Sequence, residues 1–246
     1  MILLLLALGC GHRAHPHPAS APVTQPGGHD HSHGHGHGQG HGQGHGQDHV
    51  QSGGHAHTFE DPARYVAQWE GPERDAWQQP AGLVAALGIT PGMAVADLGT
   101  GTGYLLPHLV AAAGPGSVYA VDIEPAMVAW VQARAASTGW TTVTPVLGSA
   151  QSTGLPPASL DRAVMINVWH HIEDPVAYGR SVKEALKPGG EFAVVETRLD
   201  APEGDGPPMA MRLSPEAVIA ALQSAGLQAR RSDWTNPRQY MIIATR

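Results

Sequence analysis

Cysteine is nearly absent: Cys10 stands alone among 246 residues, so no disulfide can form within the chain. Charge is sparse too. Asp, Glu, Lys and Arg make up 14% of the residues, and 14 Lys+Arg against 21 Asp+Glu leave a formal net charge of −7. No basic run interleaved with aromatics occurs. A nucleic-acid partner needs such a stripe to displace counterions, so nucleic acid is not an expected partner. Long apolar runs are missing as well, which excludes a membrane-spanning helix of ~20 consecutive apolar residues.

What is present divides into two materials. Gly (31) and Pro (21) are abundant, and many fall between Gly11 and His57, together with 13 of the 16 histidines, all but His108, His170 and His171. Residues 11–57 have almost nothing apolar to set against the entropy of ordering, so a disordered linker rich in His and Gly is expected. Imidazoles recur at His31, His33, His35, His37, His41 and His45, a pattern that can wrap weakly around a divalent ion such as Zn, Ni or Cu. A plain flexible tether is the simpler reading of the same residues. Ahead of it, Met1 to Leu8 is almost all Leu and Ile, and Ala7-Leu8-Gly9-Cys10 follows. This resembles a bacterial lipoprotein signal, although no Lys or Arg precedes the apolar run. The resemblance implies that residues 1–10 are a signal ending at a lipidated Cys10, and so a membrane-anchored protein of the cell envelope. A cytoplasmic protein with an untidy apolar N-terminus is the alternative.

From residue 58 to 246 strands and helices alternate, and with 42% of the chain hydrophobic there is material for one core. Pro80 to Leu87 is expected as a helix, with Gly88 just past its end. Met93 to Leu98 reads as a short apolar strand, and Tyr104 to Ala113 as a helix that tolerates Pro107 only in its first turn. Ser117 to Ile123 is the next strand and Pro125 to Ser137 the next helix. Thr142 to Leu147, Leu160 to Val168 and Glu191 to Thr197 follow as strands, with a helix from Glu173 to Leu186 between the last two. Ser214-Pro215-Glu216 opens a helix that ends near Gly226. Gln228 to Trp234 and Gln239 to Ala244 close the chain across a short Asn236-Pro237 turn, so one of them is expected to run antiparallel. Continuous apolar strands separated by helices predict an α/β fold, a doubly wound and mostly parallel sheet covered on both faces.

Between the first strand and its helix lies Asp97-Leu98-Gly99-Thr100-Gly101-Thr102-Gly103-Tyr104. Glycines there let the backbone approach a ligand closely and permit positive φ. A dinucleotide fingerprint spaces them G-x-G-x-x-G and sets a pyrophosphate on the helix N-terminus. Here Gly103 comes one residue early, and Asp97 would repel a phosphate; it suits a ligand bearing an ammonium and a sulfonium. Val118 to Asp122 ends the second strand in a carboxylate about 20 residues beyond the loop, placed to accept hydrogen bonds from two ribose hydroxyls. A helix cap ahead of Pro125 is its plainer role.

With Leu186-Lys187-Pro188-Gly189-Gly190 before the fifth strand and Met165-Ile166-Asn167-Val168-Trp169-His170-His171-Ile172 at the end of the fourth, these motifs resemble those of class I S-adenosylmethionine-dependent methyltransferases. The likeness is to the ubiquinone/menaquinone-type and related small-molecule enzymes above all, and it runs from about Trp69 to Arg246. It implies a Rossmann-like, seven-stranded sheet with a reversed last strand, S-adenosylmethionine lying across the carboxyl ends of the strands, and a small-molecule methyl acceptor. It also implies Asp97, Gly99 and Gly101 around the methionine moiety, with Thr100 and Gly103 completing the loop. Asp122 would hold the ribose, Ile123 would pack on adenine, and Asn167 would border the sulfonium and the acceptor. Many relatives have an Asp after the third strand that holds the adenine amino group. This chain reads Gly148-Ser149-Ala150, which leaves the Ser149 hydroxyl or the Ala150 backbone for that bond. Trp69 to Pro80 corresponds to a lid, with Arg74 either on the cofactor carboxylate or in a surface ion pair. Arg198 to Met211 corresponds to a loop over the acceptor side.

Methyl transfer is an in-line displacement at carbon that asks a protein for alignment and exclusion of water. A base is needed only where the acceptor must lose a proton. His170 and His171 are the candidates, since imidazole titrates near neutrality; the plainer reading packs one beneath the following helix and has the other cap it. Two rival functions stand beside this one. Gly99 to Tyr104 with Gln79-Pro80 also resembles protein L-isoaspartate methyltransferases, a family the histidine pair fits poorly. A metal-binding surface lipoprotein that keeps the fold without catalysis would resolve the conflict between a cytosolic cofactor and a lipidated Cys10. The intact Asp97, glycine loop and Asp122 speak against it.

Overall fold

The computed structural model describes residues 61–204 and 206–246. The expectations for Cys10, for His31, His33, His35, His37, His41 and His45, and for a linker ending at residue 57 lie outside these residues.

Three short helices come first: α1 (Pro62–Trp69), α2 (Pro72–Gln78) and α3 (Pro80–Ala86). Each opens on a proline, tolerated there because the first N–H of a helix has no partner within it. Then β1 (Val95–Leu98), α4 (Leu106–Ala113), β2 (Val118–Asp122), α5 (Pro125–Thr138), β3 (Val143–Leu147) and β4 (Leu160–Ile166) alternate. A 3-10 turn (Trp169–His171) leads to α6 (Pro175–Ala185), β5 (Leu186–Thr197), a second 3-10 turn (Met209–Met211), α7 (Pro215–Ser224), β6 (Gln228–Arg231) and β7 (Gln239–Thr245).

The strands form one seven-stranded sheet in the order β3-β2-β1-β4-β5-β7-β6. Pairings from β3 through β5 are parallel, and β7 runs antiparallel to both its neighbours. This is the Rossmann-like sheet with a reversed last strand that the motifs imply. Chain order reverses between β1 and β4, and such a switch point opens a crevice outside the carboxyl ends of the strands.

The largest boundary difference from expectation is in β5. β5 starts at Leu186 rather than Glu191, because Leu186 pairs with Leu160 before the register shifts. The Lys187 ammonium fixes the turn by donating to Asp161 Oδ2 at 2.6 Å, an oxygen that also accepts the Ala94 N–H at 2.8 Å. α1 and α2 were not foreseen as helices.

Strand alternation divides the core. Met165, Phe192, Val194, Tyr240 and Ile242 face Trp169 and the buried stripes of α6 and α7. Val95, Val164, Ala193, Val195 and Met241 face Leu83 of α3, Leu109 of α4 and Val131 of α5. The same alternation sends Glu196 to the α6/α7 side and Thr197 to the α3/α4 side, which decides their partners at the strand ends.

Candidate functional site

Two carboxylates from neighbouring strands grip the glycine loop. Thr100 Oγ1 donates to Asp97 Oδ2 at 2.9 Å, while Asp122 Oδ2 accepts the Gly101 N–H at 2.8 Å and Oδ1 the Glu124 N–H at 3.0 Å. Gly99 N and Thr100 N both donate to the Val121 carbonyl, at 2.8 and 2.9 Å. Gly99 and Gly101 hold φ of 74° and 54°. A Cβ on Gly99 would lie 2.6 Å from Val168 Cγ2, so no side chain fits where the loops after β1 and β4 touch. Burial pushes the Asp97 carboxyl up to about 6; the Thr100 bond and Arg74 oppose the shift, and the Asp122 charge adds to it. Burial raises Asp122 in the same direction, against its backbone hydrogen bonds. Paired acids desolvated in this way are complementary to a ligand that brings positive charge.

The loop is covered by α1 and α2. The Trp69 ring lies over Gly101, whose added Cβ would stand 3.3 Å from Trp69 Cζ3. Glu70 holds Arg134 Nη1 at 2.5 Å, and the same nitrogen donates to the Thr102 carbonyl at 2.9 Å. The Arg74 guanidinium sits 3.8 Å above the Tyr104 ring and donates to the Trp69 carbonyl at 2.7 Å; the Tyr104 hydroxyl donates to Asp75 at 2.6 Å. Burial draws the Arg74 pKa below its ordinary value, offset by the nearby charges of Tyr104, Asp97, Glu70 and Asp75. Arg74 therefore packs inward against the loop instead of forming a surface ion pair, and its Nε is buried without a hydrogen-bond partner.

At the ends of β2 and β3, Ile123 and Leu147 leave apolar side chains 53% and 54% exposed, and Leu147 stands opposite Asp122 in the register. Leu147 was not anticipated; an apolar residue closing a strand just before Gly148 was its only signal. Ser149 and Ala150 are exposed in a tight turn closed by Ser149 N to Ser152 O at 2.8 Å. The Ser149 hydroxyl accepts from Gln151 N at 3.4 Å within that turn.

On the other flank Asn167 follows β4 with φ of 53°. Its Oδ1 accepts from Thr197 Oγ1 at 3.2 Å and from Gln239 Nε2 at 3.1 Å. Gln239 Oε1 in turn accepts from Gln78 of α2 at 2.5 Å. The structure separates the two histidines that sequence could not. His170 Nδ1 lies 2.8 Å from Glu196 Oε2, with the two side chains only 3% and 1% exposed, whereas His171 is exposed and its ring sits tilted against that of His170, 4.2 Å between centroids. Neither caps α6; Asp174 does, accepting from Ala177 N at 2.9 Å.

The segment after β5 is organised by one buried guanidinium. Arg212 donates to the carbonyls of Pro207, Arg198, Ala201 and Pro202 at 2.5–3.3 Å. Arg212→Ala leaves those carbonyls without a donor and is expected to lower stability by about 2–3 kcal/mol. Arg212→Lys, lacking the planar fork, recovers less than half of that. Limited proteolysis checks it: faster cleavage between residues 198 and 211 is expected, and an unchanged digestion pattern contradicts it.

Asp97, the glycine loop, Asp122, Ile123 and Asn167 thus converge at the carboxyl ends of β1, β2 and β4. Among the described residues no group of three or more His, Cys, Asp or Glu is placed to hold a metal ion, and no helix is long and apolar enough to cross a membrane.

Residues 96–194 match the family model of a methyltransferase domain. With the sheet around them, they define an enzyme of the class I, S-adenosylmethionine-dependent methyltransferase kind. Among relatives, the chain is 24% identical over 166 residues to the uncharacterized methyltransferase YdaC of Bacillus subtilis, covering 68% of this chain and 86% of that protein. Among solved structures, it is 25% identical to a SAM-dependent methyltransferase from Aquifex aeolicus, with a TM-score of 0.70 over 75% of this chain and 98% of that one. The [4+2]-cyclase SpnF shares the fold alone, at 20% identity and a TM-score of 0.58 over 72% of this chain and 85% of that one.

Proposed function

We propose that this chain transfers the methyl group of S-adenosylmethionine to a small-molecule acceptor by in-line displacement. The observation that carries the reading is the pair of buried carboxylates, Asp97 and Asp122, each bonded to a loop that glycine alone can form. The cofactor fits the residues present. Gly99 and Gly101 keep the cradle open where a Cβ would intrude. Asp97 takes the ammonium, and Asp122 takes the ribose hydroxyls on the lone pairs that Gly101 and Glu124 leave. Ile123 and Leu147 border the adenine, with Ser149 and Ala150 at its edge. The buried Arg74 Nε is a donor for the carboxylate.

When bound, the cofactor supplies a methyl carbon that accepts the acceptor's lone pair as the C–S electron pair returns to sulfur. The chain contributes alignment and dryness: Trp69 and α2 cover the loop, and the segment stapled by Arg212 flanks the acceptor side. The net charge of −7 and the absence of a basic stripe favour a small molecule over a nucleic acid.

Calorimetric titration of the full-length chain with S-adenosylmethionine and S-adenosylhomocysteine tests this. Binding of about micromolar affinity is expected. Asp122→Ala removes both ribose acceptors and the bonds to the Gly101 and Glu124 N–H groups, and is expected to weaken it by about a hundredfold or more. A folded chain that binds neither ligand overturns the proposal. Turnover with an isoaspartyl peptide would move the acceptor to damaged protein.

A further inference from the structure

The acceptor flank carries a second kind of information, resting on the methyltransferase reading above. From α2 to the end of β4 runs a chain of amides with a single direction. Gln78 Nε2 donates to Gln239 Oε1 at 2.5 Å, and Gln239 Nε2 donates to Asn167 Oδ1 at 3.1 Å. Gln78 and Gln239 are 0% and 2% exposed, so the bond between them is shielded from solvent. Thr197 Oγ1 donates to the same Asn167 oxygen at 3.2 Å. A carboxamide oxygen has two lone pairs, and both are now used. Thr197 and Gln239 lie on β5 and β7, so Oδ1 is turned toward that flank of the sheet. The amide nitrogen is left on the opposite side, where the order β1-β4-β5 places the glycine loop. Asn167 is half-buried; its N–H still donates to the Val195 carbonyl of β5 at 2.8 Å, and its left-handed φ of 53° ends the strand there. At the far end the same direction leaves Gln78 Oε1 buried without a donor.

We infer that Asn167 is a specificity-determining residue that offers the methyl acceptor hydrogen-bond donors only, and that the acceptor carries a carbonyl or carboxylate oxygen next to the atom that is methylated. Gln239 and Gln78 are positioning residues. They hold the Asn167 amide in one of its two orientations and make that orientation depend on α2 being docked. An acceptor that presents only N–H groups at this point would face Nδ2 with no lone pair to offer, and a desolvated donor left unpaired is strongly disfavoured.

The test uses the full-length chain saturated with S-adenosylhomocysteine and two probes of like size, acetophenone, which only accepts, and 1-phenylethylammonium, which only donates. In isotope-labelled protein, acetophenone is expected to shift the Asn167 side-chain NH2 resonances and 1-phenylethylammonium to leave them in place. Asn167→Asp substitutes an acceptor for the donor, and Asn167→Gly removes the amide while suiting the positive φ. Both are expected to weaken acetophenone about tenfold or more, and by a larger factor than they weaken S-adenosylhomocysteine. Gln239→Glu is expected to do the same from outside the site, because a carboxylate there draws Nδ2 toward itself and turns Oδ1 outward. Equal binding of both probes, no shift at Asn167 with either, or a parallel loss of S-adenosylhomocysteine in the Asn167 variants overturns the assignment. If the unmodified chain fails to bind S-adenosylhomocysteine at all, the methyltransferase reading falls first and this one with it.

Discussion

Replacing Asp97 by asparagine is expected to weaken S-adenosylmethionine by about 10–100-fold at neutral pH, the range for losing a hydrogen bond between charged groups. It is also expected to remove most of the pH dependence of binding. In the free protein burial holds the Asp97 carboxyl up at about 6, so at lower pH the site carries a proton that an incoming ammonium must displace. Binding therefore releases a proton, and affinity falls by about tenfold for each unit below about pH 6 until the pKa of the bound state is reached. Above that point affinity is flat. Asparagine cannot titrate, so its binding curve keeps only the smaller dependence that Asp122 contributes, at a weaker affinity. A wild-type affinity independent of pH between about 4 and 7 would contradict this, as would an Asn variant that keeps the slope.

Stability moves the other way. An unfolded Asp titrates near 3.8, so between there and about 6 the native state holds a proton that the unfolded chain has lost. Unfolding free energy therefore declines as pH rises through that window, by an amount on the order of 3 kcal/mol. Asp97→Asn abolishes the decline, and the ligand-free variant is expected to be more stable than the native chain at neutral pH. Weaker binding joined to greater stability is the signature of a residue kept for a ligand rather than for the fold.

The sheet was legible because its strands are short apolar runs punctuated by glycine and proline, and because several helix starts carry a recognisable signal such as Ser214-Pro215-Glu216. The glycine loop and the two acids were legible for a related reason. Their signal is local, with Asp97 beside the loop and Asp122 closing the next strand. What escaped depends on partners far apart in sequence. α2 has only Ala76 and Trp77 as apolar residues apart from its opening proline, α1 buries none of its residues, and what docks them is Trp69 over Gly101, Glu70 on Arg134 and Arg74 on Tyr104. Gln78 finds Gln239 across 161 residues, and no periodicity encodes an amide pair. Glu196 left a faint trace. Within Phe192-Ala193-Val194-Val195-Glu196-Thr197, strict alternation puts an acid on the same side as Phe192 and Val194, and a carboxylate there requires a buried partner.

That partner is His170, and separating the two is the largest stability effect expected outside the glycine loop. Glu196→Ala leaves the His170 ring buried without the carboxylate that holds Nδ1, and removes the acceptor of the His170 backbone N–H at 3.2 Å. His170→Ala leaves the carboxylate buried with only that backbone bond. Each single change is expected to cost about 3–5 kcal/mol, because a buried polar group stripped of its partner keeps its whole desolvation penalty. Changing both together, His170→Phe with Glu196→Leu, replaces the pair by apolar groups against Trp169, Phe192 and Tyr240 and is expected to cost much less than either alone. Glu196→Gln keeps an acceptor for the backbone N–H but turns an N–H donor toward the ring, and should fall between. Chemical denaturation of the four variants reads this directly; additive losses in the double variant would show that the two side chains do not act as a pair. S-adenosylhomocysteine titration of the double variant then separates roles. The pair lies on the α6/α7 side of the sheet and Asn167 is bonded toward Thr197 on the other, so cofactor affinity is expected to survive. If it is lost while the fold is kept, the His170 turn shapes the cofactor site through Val168, whose side chain closes against Gly99.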